Sequence, residues 1–395
     1  MKHVNFYAGL FALITLFSCN SDNVVKNEPS ANEGQISLPA QAPEYTSVPV
    51  EGQYIVVLNE NALGNAASRM DVQGFSKTMM QKYEVEITEE QRYFSNRSFQ
   101  GFTARLDAHQ LNKMSSDPMV KYVEQDQMIT LAPMQTSEYV ATASQTIPYG
   151  TTRVGGGKSA SPYTAWVIDT GIQMNRPDLN VDASRSKSFV GWFFPNPNDQ
   201  NGHGTHVAGT IAAKDNDIGT VGVAPGTTVV AVRVLDRNGS GTISQVINGV
   251  NYVGNNARIG DVANMSLGGA NSTALDDAVK AAASKGIVFA VAAGNEAQNA
   301  NNVSPARVNA ANVYAISAMD QYDRWAYFSN FGSAVDFCAP GVSVTSTWLN
   351  SGYNTISGTS MATPHAAGVL LFGSPSTDGV VQNDPDGVPD PIIHI

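Results

Sequence analysis

The chain has 395 residues, 42% of them hydrophobic and 14% charged, with 34 acidic against 23 basic side chains and a net charge of −11. Such a length allows two or three domains of about 150 residues, and the apolar fraction suits a large core rather than a disordered chain. The acidic balance argues against nucleic acid as a partner, 2 cysteines cannot staple a scaffold, and no apolar run reaches the roughly 18–20 residues of a membrane span.

Polar Lys2 and His3 precede a 12-residue apolar stretch, Phe6 to Phe17, too short for a bilayer but suited to the core of an export signal. It ends in Leu16-Phe17-Ser18-Cys19, which resembles a bacterial lipobox, the motif whose cysteine is lipidated and becomes the new N-terminus. The expectation is a lipoprotein-type signal over residues 1–18 with Cys19 lipidated. An ordinary cleaved signal with a chance cysteine is the alternative. Either way the chain is expected to be exported. Residues 19–50, rich in Asn, Ser, Pro, Glu and Gln without periodicity, read as a flexible linker.

Residues 51–130 predict a small α+β domain. Gln53–Leu58 is a strand-like run and Ser76–Tyr83 a helix. Two β-rich runs flank Asn96-Arg97 within Arg92–Leu106, followed by a helix at Ala108–Ser115 and a strand at Val120–Val123. The order β-α-β-β-α-β is the split unit of ferredoxin-like folds. No catalytic cluster lies within it. Residues 131–143 read as a polar connector.

From residue 144 onward strands and helices alternate. Tyr163–Ile168, Thr228–Leu235, Val262–Met265 and Ile287–Ala292 are apolar and strand-like. Helical segments lie around His203–Ala213, Ile243–Asn255 and Ala274–Lys285. This predicts an α/β domain with a parallel sheet covered on both faces. In such sheets reactive groups gather at the carboxyl ends of the strands.

Three segments carry candidate chemistry. In Val167-Ile168-Asp169-Thr170-Gly171 an apolar strand ends in a carboxylate; alone, this could be a turn aspartate. In Gly202-His203-Gly204-Thr205-His206 a histidine opens a helix of small residues, so its ring can project into a cleft. Two histidines three apart also suit a metal, but no third ligand accompanies them. In Gly358-Thr359-Ser360-Met361-Ala362 a serine sits at a helix start, where backbone N–H groups favour developing negative charge; alone, it could be an N-cap. Together they are more telling. Serine needs a base, histidine has a suitable pKa, and a carboxylate can fix the imidazole tautomer.

These segments resemble the three signature blocks of the subtilase family of serine endopeptidases, whose chain order Asp, His, Ser they share. The resemblance covers about 144–373. It implies Asp169, His203 and Ser360 as the triad, with His206 and His365 structural. Ala292-Ala293-Gly294-Asn295 resembles the block whose asparagine, here Asn295, supplies the oxyanion hole. Asn264-Met265-Ser266-Leu267-Gly268-Gly269 resembles the segment that pairs with extended substrate. Ser266, Leu267 and Gly268 would form one wall of the primary pocket, and Ala293 and Gly294 the other. The resemblance further implies that residues 51–130 are a ferredoxin-like prosegment that assists folding and inhibits the enzyme. Ser144-Gln145-Thr146-Ile147-Pro148-Tyr149 resembles a mature N-terminus, which places self-cleavage between Ala143 and Ser144. A lipid on Cys19 would then sit on the precursor alone, and cleavage would free the catalytic domain, residues 144–395, as a monomer acting on protein or peptide substrates.

Structural Ca²⁺ is also implied. Subtilisin-like members suggest one site from Gln145, Asp178 and Asn216 side chains with carbonyls of Lys214, Ile218 and Thr220. Proteinase K-like members suggest a second from Asp336 with carbonyls of Ala311 and Val313. The acidic tail Asn383–Asp390 reads as a solvated segment lacking the full EF-hand pattern, and Cys338 as a buried small hydrophobe. An inactive binding protein on the same fold is the rival reading. A lipase would need a G-x-S-x-G elbow and the order Ser, Asp, His, which are absent.

Overall fold

The computed structural model describes residues 46–60, 62–63, 69–96, 98–131, 137–139, 144–191 and 196–395. Cys19 and Ala143 lie outside the described residues, as do the signal and most of the linker.

The N-terminal elements are β1 (Thr46–Leu58), α1 (Arg69–Lys82), β2 (Tyr93–Asn96), β3 (Phe99–Arg105), α2 (Ala108–Ser115) and β4 (Val120–Thr130). The strands form an antiparallel sheet in the order β4-β1-β3-β2. Its alternation decides what it covers, because successive side chains point to opposite faces. Val56, Phe102 and Met80 fill a core shared with α1 and α2. Ile55, Val57, Phe94 and Phe99 face the other way and join the core of the larger domain.

That domain runs through β5 (Ser137–Tyr139), α3 (Tyr149–Arg153), β6 (Ala165–Asp169), β7 (Asn180–Val181), β8 (Lys187–Ser188), α4 (His203–Ala212), β9 (Thr228–Arg233), β10 (Ser240–Thr242) and α5 (Ile243–Asn256). It continues with β11 (Val262–Met265), β12 (Gly269–Ala270), α6 (Thr273–Ala283), β13 (Val288–Ala292), β14 (Val303–Ser304), β15 (Val313–Met319) and β16 (Phe337–Pro340). Last come β17 (Val344–Thr347), β18 (Tyr353–Ile356), α7 (Thr359–Leu370), β19 (Ser376–Val380) and β20 (Pro391–His394).

The main sheet has the order β19-β20-β16-β15-β13-β11-β6-β9-β7, and β8 also pairs with β9. From β16 to β7 its pairings are parallel. Its strands are apolar on both faces because helices cover both. Trp166, Ile168, Val230 and Val232 pack towards α5 and α6. Val167, Ala231, Ala290 and Ile316 pack towards α4 and α7.

Two expectations about the terminal segments need correction. Residues 46–50, assigned to the linker, belong to β1: Thr46 to Pro49 pair with Thr130 to Gln127, because β4 runs well past Val123. The polar connector also holds a strand, as β5 pairs with β18 in the register Tyr353↔Tyr139 to Thr355↔Ser137. The acidic tail is not merely solvated. Its aspartates close a turn, with Asp384 accepting from the Asp390 N–H at 3.2 Å and Asp386 from the Val388 N–H at 2.8 Å. The turn leads into β20, whose Ile392 pairs with Cys338 of β16. Free Cys338 is fully buried there, and burial pushes its thiol pKa up.

Candidate active site

Three neighbouring strands, β13, β11 and β6, deliver the candidate groups at their carboxyl ends. Asp169 is the last residue of β6 and is wholly buried. His203 is the first residue of α4. Its Nδ1 lies 2.9 Å from both Asp169 oxygens. The fold lets the helix begin there by using glycine twice. Gly202 sits at φ +109°, and a Cβ on it would strike the Trp348 ring at 2.5 Å. A Cβ on Gly204 would meet the Gly171 carbonyl oxygen at 2.1 Å. Burial disfavours charge on His203, but the Asp169 charge and hydrogen bond outweigh it and raise the imidazole pKa.

Ser360 is the second residue of α7, which packs against α4. Its hydroxyl donates to the Ser266 carbonyl at 3.1 Å, and its own carbonyl accepts from Ser266 Oγ at 2.8 Å. The second bond has a cause in the sequence. Pro364, four residues on, has no N–H to give the Ser360 carbonyl, so the serine after β11 supplies the donor. Asn295, just past β13, has its Oδ1 held by the Thr359 N–H at 2.8 Å and by Thr359 Oγ1 at 2.9 Å. Those bonds orient the carboxamide and leave Nδ2 as the free donor end beside α7.

The other expected residues fall as follows. Leu267, Gly268, Ala293 and Gly294 are buried beside Ser266 and Asn295. His206 Nε2 donates to the Val344 and Asn354 carbonyls (3.1 and 3.2 Å), and burial lowers its pKa to about 3. His365 Nδ1 meets the Met361 carbonyl at 2.8 Å, and burial lowers its pKa to about 4. Neither histidine joins a metal cluster, and among the described residues no group of three or more His, Cys, Asp or Glu side chains could hold a metal ion.

Gln145 joins the 214–220 loop: its Oε1 accepts from the Asn216 and Asp217 N–H groups, and its Nε2 donates to Asp215 at 2.9 Å. The Lys214 N–H donates to the Asp178 carbonyl at 2.9 Å, and Asn216 Oδ1 accepts from the Ile218 N–H at 3.3 Å. Asp178 Oδ2 accepts from Tyr353 at 2.9 Å, while its Oδ1 is buried without a partner. Thr220 Oγ1 is likewise buried and unpartnered. Asp336 lies apart from these, accepting from the Ala315 N–H at 2.8 Å. Ala311 is exposed, and Val313 is buried at the start of β15.

The N-terminal domain meets this site directly. Thr130, Ile129 and Met128 of β4 pair antiparallel with Ser240, Gly241 and Thr242 of β10, and the Leu131 N–H donates to the Gly239 carbonyl at 3.0 Å. Ile129 also packs on Gly269, so this strand runs between β10 and the segment that follows Ser266. Two features here went unread in the sequence. Glu124 accepts from Ser272 Oγ and from the Ala274 N–H (3.1 Å) at the start of α6. Asp126 accepts from the Ser244 N–H (3.0 Å) and Oγ (2.6 Å) at the start of α5. The signal was present in Glu124-Gln125-Asp126, two acids on one face of a strand.

Residues 166–372 match the subtilase family model. The chain belongs to the subtilase family. Residues 53–132 match the peptidase inhibitor I9 model, which makes the N-terminal domain an inhibitor prosegment. Subtilisin-like serine protease AsES of Sarocladium strictum is 41% identical over 74% of this chain and 79% of its own. Proteinase R of Parengyodontium album is 36% identical over 86% and 83%. The crystal structure of a cold-adapted subtilisin-like serine proteinase matches with a TM-score of 0.52 and 38% identity, covering 62% of this chain and 97% of that one. This subtilase is therefore a serine endopeptidase with an I9 prosegment, that is, a zymogen.

Proposed function

We propose that this subtilase is an exported, self-processing endopeptidase in which Ser360 is the nucleophile and His203 its base. The buried contact between the His203 imidazole and both Asp169 oxygens carries the reading. Asp169 fixes the tautomer with the proton on Nδ1 and stabilises the imidazolium that forms. Nε2 takes the Ser360 proton as Oγ adds to the scissile carbonyl. The resulting oxyanion is held by Asn295 Nδ2 and the Ser360 N–H at the start of α7. The same proton passes to the leaving amine as the C–N bond breaks. Water, deprotonated by His203, then cleaves the acyl ester. Ser266 to Gly268 and Ala293 to Gly294 flank the substrate, whose extended backbone follows the path of β4 beside β10.

Ser360→Ala tests this. Hydrolysis of casein should vanish, and the precursor should stay uncut. Retained inhibitor-sensitive hydrolysis in the variant would remove Ser360 as the nucleophile, and a processed wild type with no such hydrolysis would leave only the binding-protein reading. N-terminal sequencing of the wild type locates the cut. Ala143–Ser144 is the bond read from the sequence, whereas the seat of Leu131 beside the site favours a first cut closer to β4. Fractionating both proteins checks the lipid on Cys19. Release of the wild-type catalytic domain from membranes, with retention of the uncut variant, is expected; equal retention rules out maturation as the release step. The released enzyme acts outside the cytoplasm as a monomer.

A structural Ca²⁺ suits the first implied site. Asp178 Oδ1, buried and unpartnered, and the Asn216 carboxamide beside it are hard oxygen donors on a tight loop. Gln145 and the carbonyls of Lys214, Ile218 and Thr220 would complete the set. Asp336 offers no such orphan oxygen, so the fit for a second ion with Ala311 and Val313 is poorer. Chelation should lower the Tm of the wild type and leave Asp178→Asn unmoved; equal shifts in both would remove the ion from this site.

A further inference from the structure

Asp199 lies four residues before His203 and is 2% exposed, yet its carboxylate is fully engaged. Oδ1 accepts from Thr170 Oγ1 at 2.9 Å, the Asn201 N–H at 2.9 Å and the Gly202 N–H at 3.0 Å. Oδ2 accepts from the Thr205 N–H at 3.0 Å and from Thr205 Oγ1 at 2.7 Å. These donors belong to two places. Thr170 follows Asp169 directly, and its N–H donates to Asp169 Oδ1 at 2.7 Å. Gly202 and Thr205 belong to the first turn of α4, which begins with His203.

A helix start normally takes its cap from the N-cap side chain. Here Gly202 occupies that position and has none, since the Trp348 ring fills the space a side chain would need. Asp199 supplies the cap from three residues upstream instead. Thr170 closes the circuit, because its Oγ1 also accepts from the Gly204 N–H at 2.9 Å. Asp199 and Thr170 together therefore brace the strand end that carries the acid against the helix start that carries the base.

We propose that Asp199 is a positioning residue of the triad, whose carboxylate, through Thr170 and the first turn of α4, sets the His203–Asp169 geometry. It acts electrostatically too, as a second buried negative charge behind the imidazole, and adds to the pull of Asp169 on the His203 proton. The charged and titratable groups that feel it are His203 on α4 and Arg233 on β9, and Asp169 on β6 lies across Thr170 from it. Arg233 spends its own donors on the Asn196 and Asn198 carbonyls and on Gln200.

The inference rests on the triad assigned above, so its test keeps the two apart. Full-length Asp199→Asn, Thr170→Val, Thr170→Ser and Ser360→Ala would be produced, with the prosegments of inactive forms cut in trans by wild-type enzyme. Hydrolysis of a peptide anilide is then followed against pH. Asp199→Asn places an amide against the Thr205 N–H and removes a negative charge from behind His203. Its kcat should fall by about 10²-fold with KM little changed, the effect of an ångström-scale misplacement. With less stabilisation of the imidazolium, the acid limb of the profile should move to lower pH. Thr170→Val, which leaves every charge in place, should lower kcat without moving the limb, and Thr170→Ser should recover most of the loss. Wild-type kcat and pH profile in both Asp199→Asn and Thr170→Val would overturn the proposal, even if the Tm falls. If Asp199→Asn does not fold, the Thr170 pair decides alone: equal kcat in Val and Ser variants overturns it. Activity surviving in Ser360→Ala would instead refute the triad.

Discussion

At the scale of single residues, the site depends on side chains that are held at one end and free at the other. Asn295 is the clearest case. Thr359 grips its carbonyl oxygen twice, which leaves the amide nitrogen as the donor for the proposed oxyanion. Asn295→Leu should therefore lower Tm somewhat, because it orphans two buried Thr359 donors, and lower kcat by about 10²–10³, the range known for the corresponding asparagine of subtilisin. A loss confined to KM would remove Asn295 from the oxyanion hole. The motif blocks made Asp169, His203, Ser360 and Asn295 legible in the sequence. Asp199 and Thr170 were not, because an aspartate three positions before a Gly-His step and a threonine after a strand acid look like turn residues. Only their shared burial and mutual bonds distinguish them.

Among elements, the contact that decides the zymogen is strand against helix ends. Glu124 and Asp126 on β4 each reach the N-terminus of a helix, where unpaired N–H groups and the dipole favour a carboxylate. Both helices also carry their own caps. Thr242 accepts from the Gln245 N–H, and Ser272 from the Leu275 N–H. The catalytic domain should therefore stay folded when these acids are removed, while prosegment binding weakens. Asp126→Ala gives up two hydrogen bonds to a charged group, about 1.5–3 kcal/mol each. The isolated prosegment carrying it should inhibit mature enzyme at least tenfold less well. Unchanged inhibition by both Asp126→Ala and Glu124→Ala would show that the β4–β10 pairing holds the complex alone. The β-α-β-β-α-β order was readable because each run has a clear period. The length of β4 was not, because its outer half, Gln125 to Thr130, follows no strict alternation and is held as strand by its pairing with β1 and β10.

For the whole molecule, the acidic balance of −11 has a local focus in the last turn. Asp390 is buried, bonded to Ser317 Oγ at 2.6 Å and surrounded by Asp384, Asp386 and Asp336. Burial first, then these neighbouring charges, raise its pKa to about 7 despite the serine bond. A raised carboxyl pKa means that the fold prefers the neutral form. The cost of ionising it therefore accumulates as pH rises above the unfolded value near 3.8 and is complete once pH passes about 7. Asp390→Asn should gain Tm over wild type between about pH 5 and pH 8, and a gap that stays constant over that window would contradict the raised pKa. The composition announced an acidic protein and the apolar runs a parallel sheet. That the tail would supply the sheet with a further strand was not readable, because Pro391 to His394 is too short to show a period. The two β4 carboxylates also act as a ruler. Residues two apart on one strand face stand about 7 Å from each other, and each of these two meets the tip of a different helix on the enzyme. A substitute leader would have to preserve this spacing, while the letters around it could drift.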